Sequence, residues 1–79
     1  MINMIIDKPS PELEREFVLT WPSKFWWYDD DGNIIISITH GITDPTTDTY
    51  TFIIQQKYHK TTLTLHKTID CSECRKLYN

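Results

Sequence analysis

Cys71 and Cys74 stand with two residues between them, His66 is five residues ahead of Cys71 and His59 seven further back. Four such donors are the tetrahedral set of a zinc ion. The cysteine pair alone, placed where a strand gives way to a helix, is also the layout of thiol–disulfide chemistry, because a helix amino end lowers thiol pKa. Both uses meet objections. Histidines that precede the cysteines at this spacing match no familiar finger, and closure would fold the terminal segment onto the polar face of the strand before it. A thioredoxin-like unit needs a parallel β–α–β arrangement and further strands. Packing is the competing use, since Cys71, Cys74 and Leu77 or Tyr78 fall at helical spacing. A zinc-binding accessory role through His59, His66, Cys71 and Cys74 therefore ranks third among the readings, and no cofactor is expected.

Asp29-Asp30-Asp31-Gly32 crowds carboxylates at a glycine turn, as calcium loops do. Aligning Gly32 with the loop glycine puts Trp27 at the first ligand position and Ile38 at the bidentate acid, so the match fails. The sequence contains no Gly-rich phosphate loop, nucleophile elbow or HExxH motif. His40 could pair with Asp44 or a serine, but an isolated histidine at a strand end is more often structural, and with no nucleophile, base and orienter set to nominate the chain is expected not to be an enzyme.

What remains is a surface. Asp31-Gly32 accepts the positive φ of a tight two-residue turn, and pairing Asp30 with Asn33 divides the flanking runs into two faces. Phe25, Trp27, Ile34, Ile36 and Ile38 then line the core. Trp26, Tyr28 and Ile35 share the other face, as a patch that takes a partner unless the protein's own helices cover it. With Asp29, Asp30 and Asp31 as an acidic rim steering toward a basic site, these are the candidate partner-binding residues.

Charge is unevenly spread. Up to Asp48 nine acids face Lys8, Arg15 and Lys24, a balance of −6; Thr49 to Ile69 carries Lys57, Lys60 and Lys67 and no acid, a balance of +3; the last ten residues cancel. Open-sheet aromatics could stack bases while Lys57, Lys60 and Lys67 hold phosphates, which makes single-stranded nucleic acid the alternative partner. An acidic chain with no arginine in that basic stretch weakens it, because phosphate affinity grows with the number of cationic contacts.

The elements that must position these groups are legible in outline. Ser10-Pro11-Glu12-Leu13 starts a helix that runs to about Leu19, ahead of Trp21-Pro22, with Leu13 and Phe17 inward. Residues 24–30 and 33–40 form the aromatic hairpin, and Gly41 to Asp48 reads as a loop. Tyr50, Phe52 and Ile54 alternate with polar neighbours in a third strand, and Leu63, Leu65 and Ile69 alternate with threonines and His66 in a fourth. Asp70-Cys71-Ser72-Glu73 has the form of a capping box opening a short terminal helix. Ile2, Met4 and Ile6 alternate as well, which would add a fifth strand. The expectation is an α+β fold: one antiparallel sheet of four strands, or five, with a short N-terminal and a short C-terminal helix.

With 79 residues, 39% of them hydrophobic and 13% aromatic, residues 1–79 are expected to form a single domain with one small core. The start, Met1 to Asp7, has no basic leader and no apolar run long enough to span a bilayer, so a cytoplasmic address and no membrane are expected. The function expected is that of a small non-catalytic module that binds another protein. In size and composition the chain parallels virus- or mobile-element-encoded proteins that inhibit a host factor by occupying its surface, and also small accessory subunits and immunity proteins. No motif carries that analogy.

Overall fold

Residues 1–66 and the backbone of 73–76 are described by the computed structural model. The alternation at the amino end marks strand β1 (Ile2–Asp7), which lies inside the first sheet with Met4 and Ile6 on its core side. Helix α1 (Pro11–Thr20) follows from its local signals. Ser10 Oγ accepts from the Leu13 amide at 3.1 Å, Pro11 fills the first turn, and Trp21, extended ahead of Pro22, ends it. Leu13 and Phe17, one turn apart, are its buried residues.

A 3-10 turn over Ser23–Phe25 leads into β2 (Trp26–Tyr28), which pairs antiparallel with β3 (Ile34–Ile38), and β3 pairs antiparallel with β1 along its other edge. Past Thr39 the same run of chain enters a second sheet as β4 (His40–Asp44), next to β5 (Thr49–Gln55) and then β6 (Lys60–His66), all antiparallel. Thr39 is the joint. Its amide donates to the Ile53 carbonyl at 2.7 Å and its hydroxyl accepts from the Gln55 amide at 2.9 Å. Side-chain alternation shifts by one residue there, so Ile34, Ile36 and Ile38 face the core before the joint and Gly41 lies opposite buried Phe52 after it. Both sheets and α1 then close on one apolar core, in which Met4, Ile6 and Phe17 meet Phe52, Ile54 and Leu65. Full burial of such side chains stabilises by roughly 1.5–3 kcal/mol each, enough to decide which face of each strand turns inward.

Three expectations are corrected. The expected single sheet of four or five strands gives way to two antiparallel sheets, each built on three strands, because the long β3–β4 run bends at Thr39 instead of staying in one plane. Gly41 to Asp44 is strand, not loop: Gly41 is read as a turn residue in sequence, yet it is small because the Tyr50 ring lies against it. The expected terminal helix is absent over Glu73–Lys76, which is strand β7, paired antiparallel with the open edge of β1 so that Cys74 lies opposite Ile6 and Arg75 opposite Ile5. It adds a fourth strand to the first sheet. Backbone pairing along that edge outweighs the local helix-start signal, while Asp70 to Ser72 lie outside the described residues.

Candidate functional site

The loop closing the β2–β3 hairpin sets the geometry of the surface. It holds three residues, Asp30-Asp31-Gly32, instead of two. The Asp29 amide donates to the Asn33 carbonyl at 3.0 Å, the Gly32 amide to the Asp29 carbonyl at 3.3 Å, and Gly32 takes φ +83°. A turn followed by a left-handed glycine is the usual way to close a three-residue hairpin. The strand pairs become Trp26 with Ile36, Trp27 with Ile35 and Tyr28 with Ile34. One extra loop residue moves every β2 side chain to the opposite face.

Trp26 and Tyr28 therefore lie on the core side beneath α1, and Trp27 lies outside. Trp26 is half-buried, its ring centroid 5.5 Å from that of Phe17 and 5.4 Å from that of Tyr28. Its indole N–H, like that of buried Trp21, has no hydrogen-bond partner among the described residues. Tyr28 sits at the rim of this cluster, 46% exposed, and its hydroxyl donates to a Glu14 carboxylate oxygen. That hydrogen bond, with some burial and the repulsion of Glu14's charge, pushes the phenol above its ordinary value of 10.0. Trp27, 42% exposed on the opposite face, neighbours Ile35, which is buried along with Ile5 outside the main core.

The acidic turn is braced by the Asp29 side chain. Asp29 Oδ1 accepts from the amides of Asp31 and Asn33, each at 2.9 Å, and Oδ2 accepts from Asn33 Nδ2 at 3.1 Å. Asn33 Oδ1 in turn accepts from the Lys8 amide at 3.0 Å, tying the turn to the β1–α1 connection. Desolvation pushes the Asp29 carboxyl upward, but the hydrogen bonds from Asn33, Asp31 and Gly32 together outweigh it and hold the group below its ordinary range. Asp29 thus serves the loop, and Asp30 and Asp31 are the exposed acids.

Around β2 the structure gathers Trp26, Trp27, Tyr28 and the Asp29–Asp31 turn, and it separates Ile35 from Trp26 and Tyr28 by putting it on the other face with Trp27. Sequence reasoning passed over Val18 and Leu19, both exposed at the end of α1. Their signal was readable: at 100° per residue neither falls on the Leu13–Phe17 stripe, and Val18 follows Glu14 by one turn on the flank that meets Tyr28.

The basic stretch lies in the second sheet. Gln56 and His59 exchange backbone hydrogen bonds at 2.7 and 3.4 Å around Lys57 and Tyr58, and Gln55 Nε2 donates to the Gln56 carbonyl at 2.8 Å. Tyr58 is 90% exposed on this braced turn, with the Lys57 ammonium 5.2 Å from its ring centroid. His59 and His66 are exposed on the same hairpin. Lys67 and Cys71 lie outside the described residues, as does the side chain of Cys74. Among the described residues no three His, Cys, Asp or Glu side chains gather as a metal site, and no helix is long and apolar enough to cross a membrane.

Comparison with protein-family models, with curated proteins and with solved structures gives no match.

Proposed function

We propose that this chain is a small non-catalytic module that binds another protein by occupying its surface, and that the rim around β2 is the docking site. The observation that carries this is Trp27: a tryptophan 42% exposed on a three-residue edge strand, with exposed Tyr28 on the other face of the same edge and the hydrogen-bonded Asp30-Asp31 turn at its end. Tryptophan and tyrosine are the residues most enriched at interface anchors, and rigid presentation lowers the entropy lost on docking. The acids at the rim select a basic surface and speed encounter with it. Stoichiometric occupation of this kind is how an inhibitor of a host protein would act.

The test is affinity capture from the native host with wild-type protein, with Trp27→Ala and with the double reversal Asp30→Lys, Asp31→Lys. A protein retained by wild type, lost by both variants and carrying a basic surface is the expected result. Capture that is indifferent to Trp27 contradicts the proposal.

Exposure of Tyr58 between Lys57 and Lys60 favours a second reading, in which the β5–β6 turn binds single-stranded nucleic acid by stacking and phosphate contact. Two cations give a salt slope of only about −1.4 on the single-strand rule of roughly 0.7 per contact, so this binding would be weak. Titration with a labelled oligonucleotide at low and raised salt decides it: salt-sensitive binding lost in Tyr58→Ala supports the reading, and no binding at low salt removes it.

A further inference from the structure

The hydrogen-bond phase of the β5–β6 hairpin fixes which backbone groups of β6 look outward. Gln56 and His59 bond reciprocally, and in an antiparallel ladder every second pair does so. In the observed register the next bonded pairs are Ile54 with Thr61, Phe52 with Leu63 and Tyr50 with Leu65. The N–H and C=O groups of Lys60, Thr62 and Thr64 therefore point away from β5, along an edge that no described strand pairs. It is the longest open edge among the described residues, and between Thr61 and Leu65 it carries no charge, no proline and no glycine. Edges of natural sheets are ordinarily blunted by such residues, and an unblunted one is a template for another strand.

We propose that this edge accepts an extended acidic segment of another protein as a fourth strand of the second sheet. The strand form follows from the edge itself, whose alternating donors and acceptors match a peptide backbone. The sign of charge follows from the hairpin: Thr49 to His66 holds Lys57 and Lys60 without an acid. A second copy offers nothing for that charge: antiparallel β6 pairing centred on Leu63 would set Lys60 of each chain opposite His66 of the other, with no acid to meet the lysine. The inference rests on the protein-binding reading but uses a different surface from the Trp27 rim.

The probe is a blocked seven-residue peptide of alternating valine and threonine with glutamate at both ends, matched in length to β6. It is added to the ¹⁵N-labelled full chain. The expected result is a downfield shift and slowed solvent exchange of the Lys60, Thr62 and Thr64 amides, with affinity reduced about tenfold when lysines replace the glutamates. Thr62→Pro removes an outward donor without touching the β5 ladder, and it should abolish the shifts while Leu63 and Leu65 methyl signals stay in place. If that variant does not fold, Lys60→Glu carries the test by weakening the glutamate peptide and favouring the lysine one. Trp27→Ala should leave peptide binding intact, so loss of the rim and loss of the edge are separately visible. Absence of shifts at Thr62 and Thr64, equal binding of both peptides, concentration-dependent protection of the edge without peptide, or displacement of the peptide by a thymidine oligonucleotide each overturns the proposal.

Discussion

The Tyr28 hydroxyl donates to the Glu14 carboxylate, joining the edge strand β2 to helix α1 across the rim of the core. The Tyr28 ring also meets Trp26 edge-on, and Trp26 in turn packs on Phe17 of the helix, so the helix, the half-buried indole and the exposed phenol form one unit. Trp27, one residue away, is left outside it.

Tyr28→Phe removes the donor and leaves Glu14 to water. The expected loss is about 0.5–1 kcal/mol, the ordinary net value of a solvent-screened hydrogen bond. The phenol's folded pKa is raised, so its contribution is fully present below the ordinary 10.0 and is lost as pH rises through the folded value. Alkaline melting curves should therefore fall more steeply for wild type than for Tyr28→Phe. Parallel curves would mean that the contact adds nothing.

Asp29→Ala removes the acceptor for three hydrogen bonds and should loosen the turn while leaving the core. Asp29 titrates below its ordinary range, so the stability it adds is present above the unfolded carboxyl pKa and is lost as pH falls through the folded one. Amide shifts of Asp31 and Asn33 followed by NMR into acid should move only below the ordinary carboxylate range. Movement within that range would contradict the assigned role.

Gly32→Ala forces a Cβ into a left-handed conformation and should destabilise by about 1 kcal/mol, although nothing lies within 4 Å of the added atom. Gly41→Val fails for a different reason. A Cβ there meets the Tyr50 ring at 3.0 Å and Ile38 Cδ1 at 3.4 Å, and the ring is held by Phe52, with centroids 4.7 Å apart, and by a hydroxyl contact to Met4 Sδ at 3.5 Å. Roughly 1–3 kcal/mol of overpacking is expected by chemical denaturation. A neutral result at Gly41 would show that the sheet corner yields easily.

Much of the fold was legible because local signals and burial agreed. Ser10, Pro11, Leu13 and Phe17 specify α1, and Tyr50, Phe52, Ile54, Leu63 and Leu65 specify the inner faces of β5 and β6. The aromatic hairpin was readable as an element but not in register. Asp31-Gly32 is compatible with both a two- and a three-residue loop, and the choice rests on Asp29, whose side chain organises the longer one. The bend at Thr39 and the pairing of β7 with β1 are long-range events that no local pattern encodes. The candidate surface moved with the register: Asp30, Asp31 and Tyr28 stayed exposed, Trp26 and Ile35 went under cover, and Trp27 took their place.

The most direct measurement is thermal unfolding together with partner capture for Trp26→Ala and Trp27→Ala. The account predicts that Trp26→Ala destabilises by roughly 2–4 kcal/mol, as truncation of a largely covered aromatic, and that Trp27→Ala costs less, about 1–2 kcal/mol for its covered part, while partner capture by the folded protein is lost. The reverse order of stabilities, or a folded Trp27→Ala that still captures the partner, would contradict it.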